Sequence, residues 1–188
     1  MRQIIAAEYL SLDGRMEDPG PAGDYEHRGW TMPYWNDELM TYQSELLFAS
    51  DALLLGRMTY EEFAAAWPSR SGDPFTDRMN SLPKLVASRT LREPLTWNAT
   101  LLKGDVAEAA RRLKQQAGKS ILIYGSSELV NTLMQHGLID VYRLMVYPLT
   151  LGTGRRFFRD GGDKVGLAIT SAKATSKGVA VLTYQPAT

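Results

Sequence analysis

Three short segments of this 188-residue chain place glycine, hydroxyl and arginine residues directly after apolar runs: Gly56-Arg57-Met58-Thr59, Ala87-Ser88-Arg89-Thr90 and Gly125-Ser126-Ser127. Such a mixture suits an anion. Free backbone N–H groups at a helix start carry partial positive charge, and small residues allow close approach. Arg57 and Arg89 can each fork onto a phosphate. Taken singly, each segment reads better as a helix cap with solvated arginines; taken together, they converge on one sheet edge. The chain has no G-x-x-x-x-G-K-[ST] motif and no G-x-G-x-x-G after its first apolar run, and Gly152-Thr153-Gly154 lacks the third glycine and marks a loop.

Other chemistries have less support. Cysteine is absent, which removes disulfides and thiolates, and the only histidines, His27 and His136, lie far apart. His136 suits a helix end beside Gly137, and His27 falls in a polar loop, so no metal site and no triad is expected. Asp37 and Glu38 are the candidate catalytic acids, although carboxylates in the first turn of a helix are also favoured by the dipole. Trp30, Tyr34 and Trp35 could stack on a flat ligand or anchor the loop that carries them. Arg15, Arg155 and Arg156 are candidates for a substrate phosphate, on sequence position alone.

Apolar runs of strand length alternate with helical periods, the pattern of an α/β domain. Strands are expected at Gln3 to Tyr9, Ala52 to Leu55, Lys84 to Ala87, Ala99 to Leu102 and Ser120 to Tyr124. Asn36 or Asp37 caps a helix carrying Leu39, Tyr42, Gln43, Leu46 and Leu47 at three- and four-residue spacing. Thr59 and Glu62 match a capping box for a second helix ending near Trp67-Pro68. Asp105 starts another helix through Gln116, and a further one runs to His136-Gly137. Segments 14–35 and 69–81 read as long polar loops that shape a pocket. The last third holds strands at Ile139 to Leu149, about Val165 to Ala174 and Val179 to Tyr184, the final pair joined by Ser176-Lys177-Gly178 into an antiparallel hairpin.

Composition sets the outer limits. Lysine plus arginine (21) equals aspartate plus glutamate (21), so no overall field draws the chain to nucleic acid or an anionic membrane. No run approaches the ~18 apolar residues of a membrane span, and a cytoplasmic protein is expected. Length predicts a single domain over residues 1–188.

The ordered segments, from Ile4-Ile5-Ala6-Ala7 through Leu53-Leu54-Leu55-Gly56-Arg57-Met58-Thr59-Tyr60-Glu61 and Lys84 to Thr90 to Ile121-Leu122-Ile123-Tyr124-Gly125-Ser126-Ser127, resemble the dihydrofolate reductases. The chain is more similar still to the bacterial branch related to the reductase domain of bifunctional riboflavin-biosynthesis (RibD) enzymes. Ser11-Leu12-Asp13-Gly14, Leu138-Ile139-Asp140 and Pro148-Leu149-Thr150-Leu151-Gly152-Thr153-Gly154 carry that closer likeness. The resemblance implies a three-layer α/β fold with a mostly parallel central sheet and a C-terminal antiparallel hairpin. It implies NADPH as cofactor, with Ala6 and Ala7 beside the nicotinamide and Gly56, Arg57 and Thr59 at the phosphates. Ser88 and Arg89 would surround the adenosine 2′-phosphate, and Gly125, Ser126 and Ser127 the pyrophosphate. The implied activity is hydride transfer to a flat pterin- or pyrimidine-like heterocycle, a phosphoribosylamino-pyrimidine among the candidates. The alternative is a non-catalytic NADP(H)-binding module. The acid of true dihydrofolate reductases aligns with Leu39, one and two residues from Glu38 and Asp37. A homodimer is expected through the hairpin-rich end, with Leu144-Met145-Val146-Tyr147 as an associating strand.

Overall fold

The computed structural model describes residues 1–187. Eight strands form one sheet: β1 (Ile4–Ser11), β2 (Ser50–Gly56), β3 (Lys84–Ala87), β4 (Ala99–Leu101), β5 (Ser120–Tyr124), β6 (Val141–Tyr147), β7 (Leu167–Ala174) and β8 (Ala180–Pro186). Their order is β4-β3-β2-β5-β1-β6-β8-β7, parallel from β4 to β6 and antiparallel through β8 and β7. Five helices connect them: α1 (Asp37–Phe48), α2 (Arg57–Ala66), α3 (Pro74–Ser81), α4 (Val106–Gln115) and α5 (Ser127–Gln135). No helix among the described residues is long and apolar enough to cross a membrane.

The parallel strands are apolar on both faces because both are covered. Ile4, Ala6 and Leu10 of β1 pack with Ala110 and Leu113 of α4 and Val130 and Leu133 of α5. Ile5 and Ala7 point the other way, toward Leu46 and Leu47 of α1, Tyr60 of α2 and Met79 of α3. This is the three-layer α/β architecture expected from the alternating pattern.

Three sequence expectations change. Residues 74–81 are helix α3: Asp73 caps it by accepting from the Thr76 N–H at 3.0 Å, and Pro74 sits in its first turn, where its missing donor costs nothing. Thr59 is no cap, because α2 begins at Arg57 directly on the end of β2, with Gly56 as N-cap and no side-chain cap bond. Leu144, Met145 and Tyr147 are buried core residues, since β6 lies inside the sheet between β1 and β8. The open edges are β4 and β7.

Segment 12–31 has little regular structure yet is fastened along its length. Asp13 accepts from the N–H groups of Leu151 and Gly152 at 3.0 and 2.9 Å. Burial alone would raise the Asp13 pKa, but these donors, the Ser11 hydroxyl and its own N–H outweigh burial and hold it at about 2. Arg15 donates to the carbonyls of Gly154 and Gly152 at 2.7 and 3.2 Å, and Trp30 Nε1 donates to the Glu17 carbonyl at 2.8 Å. The Ser11–Gly14 and Leu151–Gly154 motifs therefore fold onto each other.

Candidate active site at the carboxyl edge of the sheet

Parallel β strands leave their ligand-binding crevice outside their carboxyl ends, where the strand order reverses. Here β5 lies between β2 and β1, so the ends of those three strands share one edge. The Gly56 N–H donates to Ser126 Oγ at 2.7 Å, and Ser126 Oγ donates to Thr59 Oγ1 at 2.9 Å. These two bonds tie the tip after β2 to the tip after β5. Ala87 stands opposite Gly56 in the β2–β3 ladder, which brings the third tip to the same edge.

Close approach dictates the glycines. Gly125 has φ +60°, and a Cβ there would lie 3.0 Å from Thr59 Oγ1. A Cβ on Gly56 would lie 3.0 Å from Ser126 Oγ. Ser126 itself adopts a left-handed conformation, with φ +66° and ψ +55°, and serves as N-cap of α5 without a capping side-chain bond. Its hydroxyl is held by Gly56 and Thr59 instead. The first-turn N–H groups of α2 and α5 thus open beside a small, backbone-rich cradle of the kind a dinucleotide's phosphates require.

The cradle adjoins a cleft of about 650 Å³, within the range of small-molecule sites. Its walls come from Met16 to Gly23 of the N-terminal loop, Trp35, Met40 and Gln43 around α1, Met58, Phe63 and Trp67 along α2, and Phe75 and Met79 of α3. Ala7, Glu8, Tyr9 and Tyr124 form the floor at the strand ends. Gln43 Nε2 donates to Tyr9 Oη at 2.6 Å, and Tyr124 Oη donates to Gln43 Oε1 at 3.3 Å, so this amide fixes two phenols that burial holds neutral.

Of the residues singled out from sequence, Ala7, Thr59, Gly125 and Ser126 line the cleft, and Gly56 is bound to Ser126. Ala6 lies fully in the core on the α4–α5 side. Ser127 is buried in the first turn of α5. Arg57 is exposed and paired with Glu61 at 2.8 Å, while Arg89 is exposed at the β3 tip. Ser88 Oγ accepts from the N–H groups of Thr90 and Leu91 at 3.1 and 3.0 Å, shaping that tip.

Asp37 and Glu38 do not reach the cleft. Both are exposed, and Glu38 accepts from the Ser176 hydroxyl and N–H and from Asn36 Nδ2, which ties α1 to the β7–β8 turn. Those donors, the Ser176 hydroxyl first, lower its pKa. Of the three aromatics, Trp35 lines the cleft, whereas Trp30 and Tyr34 pack edge-on against Tyr147 at 5.2 and 5.7 Å as anchors. His136 caps the exposed end of α5, and His27 is exposed beside Glu26.

One cleft residue escaped the sequence reasoning. Glu8 is 5% exposed, and its Oε1 accepts from the Tyr9 N–H at 2.9 Å while its Oε2 is buried with no hydrogen-bond partner. Burial pushes its pKa up to about 8, opposed only in part by the N–H groups of Tyr9 and Gly125. The signal was present as a lone charge inside the run Ile4 to Leu10, whose neighbours are apolar or aromatic. A buried, unpaired carboxyl in a cleft is a functional candidate on physical grounds.

A mostly parallel sheet covered on both faces by helices, with a tip cradle and an adjoining cleft, places the chain in the class of three-layer α/β domains with a C-terminal antiparallel hairpin. The chain belongs to the RibD C-terminal domain family, whose model matches residues 2–181. It is 29% identical over 188 residues to the Bacillus subtilis protein YyaP, covering 97% of this chain and 94% of the relative. Its fold is similar to a putative riboflavin biosynthesis protein from a Shewanella species, with TM-score 0.70, 18% identity and 99% of both chains covered. It is also similar to a Thermotoga maritima diaminohydroxyphosphoribosylaminopyrimidine deaminase/5-amino-6-(5-phosphoribosylamino)uracil reductase, with TM-score 0.68 and 17% identity. In that match 99% of this chain covers 57% of the larger protein.

Proposed function

We propose that this protein is an NADPH-dependent reductase that delivers a hydride to a flat, phosphate-free heterocycle. The observation that carries the reading is the Gly56–Ser126–Thr59 cradle opening directly onto an apolar cleft with a polar floor. In this reading Gly56, Thr59, Gly125 and Ser126 hold the phosphates, Arg89 and Arg57 meet the 2′-phosphate end, and Ala7 lies beside the nicotinamide. The bound dinucleotide supplies the hydride. The chain's own share is to orient the acceptor between Trp35, Met40 and Phe63 and to exclude water from it.

The phosphate-free acceptor follows from where the arginines are spent. Arg15 is bound to two carbonyls, Arg155 pairs with Glu17 at 3.1 Å, and Arg156 lies 3.7 Å from Asp160. The cleft mouth carries Glu17, Asp18 and Glu62, and burial followed by repulsion from Asp18 raises the Glu62 pKa. Each carboxylate meeting a phosphate charge at about 4 Å costs about 1–4 kcal/mol between bulk-water and protein-surface screening. Arg70 is the cation at the far end, stacked 5.1 Å from the Trp67 ring in the company of Asp73.

Tryptophan fluorescence titration should show tighter binding of NADPH than of NADH. Cofactor absorbance should then fall with pterin- or pyrimidine-like acceptors, and a phosphoribosyl-pyrimidine should bind no better than its dephosphorylated form. NADPH binding without turnover on any acceptor would favour a non-catalytic binding module, and no binding would end the reading. The same proposal includes a cytoplasmic homodimer paired through the β7 edge; a monomer by light scattering would overturn that element.

A further inference from the structure

Glu8 is the buried ionisable group lining the cleft that hydride delivery alone leaves unexplained. It projects from the middle of β1, one residue past the point where the β5 ladder stops at Ala7 and Tyr124, on the same side of the strand as Ala6 and Leu10, and it lines the cleft. Its Oε2 would lie 3.8 Å from a Cβ on Gly125, so the carboxyl sits against the glycine turn of the cradle. With that oxygen unsatisfied by the protein, the carboxyl has bonding capacity left for a ligand.

Resting on the reductase reading, we infer that Glu8 is the acid that protonates the acceptor, which is therefore a neutral ring C=N or C=O rather than a pre-charged iminium. The O–H bond of Glu8 breaks as an N–H or O–H bond forms on the acceptor heteroatom. The carbon of the double bond gains hydrogen with its electron pair from the reduced nicotinamide dinucleotide, which is oxidised. The proton balance closes when the carboxylate regains a proton from solvent after product leaves. The Tyr9 and Gly125 N–H groups face the charge that Glu8 holds in the interval.

The surroundings keep the acid protonated at neutral pH. The groups facing it are Tyr9 of its own strand and the Gly125 N–H of the β5 turn, and Thr59 of α2 approaches that same turn. The charged residues of the same cleft are Glu17, Asp18, Glu62, Asp73, Arg70 and Arg155, and none of them contributes to the Glu8 shift. Burial sets it, and a general acid works best when its pKa lies near the operating pH.

The test compares wild type with Glu8→Gln, which preserves size and hydrogen-bonding capacity. Infrared difference spectroscopy of wild type at neutral pH should show a protonated-carboxyl stretch that is missing from Glu8→Gln and fades in wild type above about pH 8; absence of that band overturns the inference. Fluorescence titration should give the two proteins NADPH affinities within about threefold. Turnover is then followed on neutral cyclic imines of pterin, pyrimidine and isoquinoline type and on their N-methyl iminium salts, which need hydride but no proton. Glu8→Gln should lose about 10²–10⁴-fold on the imines and keep the iminium reaction within about threefold. Equal rates of the two proteins on the imines overturn the role of Glu8 and leave the reductase reading standing. No reduction of either class by wild type overturns both.

Discussion

Replacing Ser126 separates the two things this residue does. Its hydroxyl accepts from Gly56 at 2.7 Å and donates to Thr59 at 2.9 Å, while its backbone sits at φ +66°. Two part-buried hydrogen bonds at about 0.5–1.5 kcal/mol each make Ser126→Ala worth a loss of about 1–3 kcal/mol. Alanine retains the left-handed penalty of about 1–2 kcal/mol. Ser126→Gly loses the same bonds but releases that penalty, offset by about 0.5–1 kcal/mol of extra chain entropy. Glycine should therefore come out more stable than alanine by up to about 1.5 kcal/mol. For a chain of this size 1 kcal/mol corresponds to about 2–4 °C. Thermal unfolding should place Ser126→Ala about 2–12 °C below wild type, with Ser126→Gly up to about 6 °C above Ser126→Ala. The order is the decisive result: Ser126→Gly less stable than Ser126→Ala, or an unchanged Ser126→Ala, would refute the argument that hydroxyl bonds and backbone strain are both invested in this tip.

Glu8 should leave a mark on stability against pH. Its folded pKa of about 8 stands above its ordinary value of 4.5, so the folded state keeps a proton that the unfolded chain has released, and stability falls by about 1.4 kcal/mol per pH unit between those values and levels off above them. Urea titrations should show that Glu8→Gln lacks this slope; parallel profiles for the two proteins would contradict the burial of an unpaired acid. Asp140 accepts from Lys114 Nζ at 2.6 and 2.7 Å and from the Ile4 N–H at 2.8 Å, so Asp140→Ala strands a largely buried ammonium and should cost about 3 kcal/mol by urea unfolding, against less for Lys114→Met. Arg89→Ala should reduce the preference for NADPH over NADH by about tenfold in fluorescence titration, equivalent to about 1.4 kcal/mol, with NADH affinity unchanged.

The parts of the fold that follow from local periodicity were legible in the sequence. Ile121 to Ile123 and Leu53 to Leu55 are continuous apolar runs because helices cover both faces of a parallel sheet, and Asn36 and Asp105 cap where the pattern places them. Helix α3 was not legible, because only Thr76 and Met79 of it are buried and its sequence is otherwise as polar as a loop. Thr59 looked like a cap because spacing cannot say where a helix begins on the end of a strand. The cradle glycines and Thr59 were found as residue types in the right order, but the bonds through Ser126 join positions 70 and 67 residues apart. The arginines misled for a related reason. Arg15 and Arg155 are consumed by partners more than 130 residues distant, which no local window contains.

Helix and strand offer an acid very different positions at this edge. On α1, Leu39 is fully buried in a core cluster with Met145 and Tyr147, and one step back along the helix turns Glu38 by about 100°, away from that core and into the grasp of Ser176. Met40 and Gln43 are the α1 side chains that line the cleft, and Gln43 is already engaged with Tyr9, Tyr124 and Met145. No residue of that helix is left to give a proton. On β1 the β5 ladder stops at Ala7, and the consecutive residues Ala7, Glu8 and Tyr9 all line the same cavity although their side chains leave on alternate faces. The strand can therefore supply a small contact, an acid and a phenol within three residues, and burial within the sheet is what keeps Glu8 protonated.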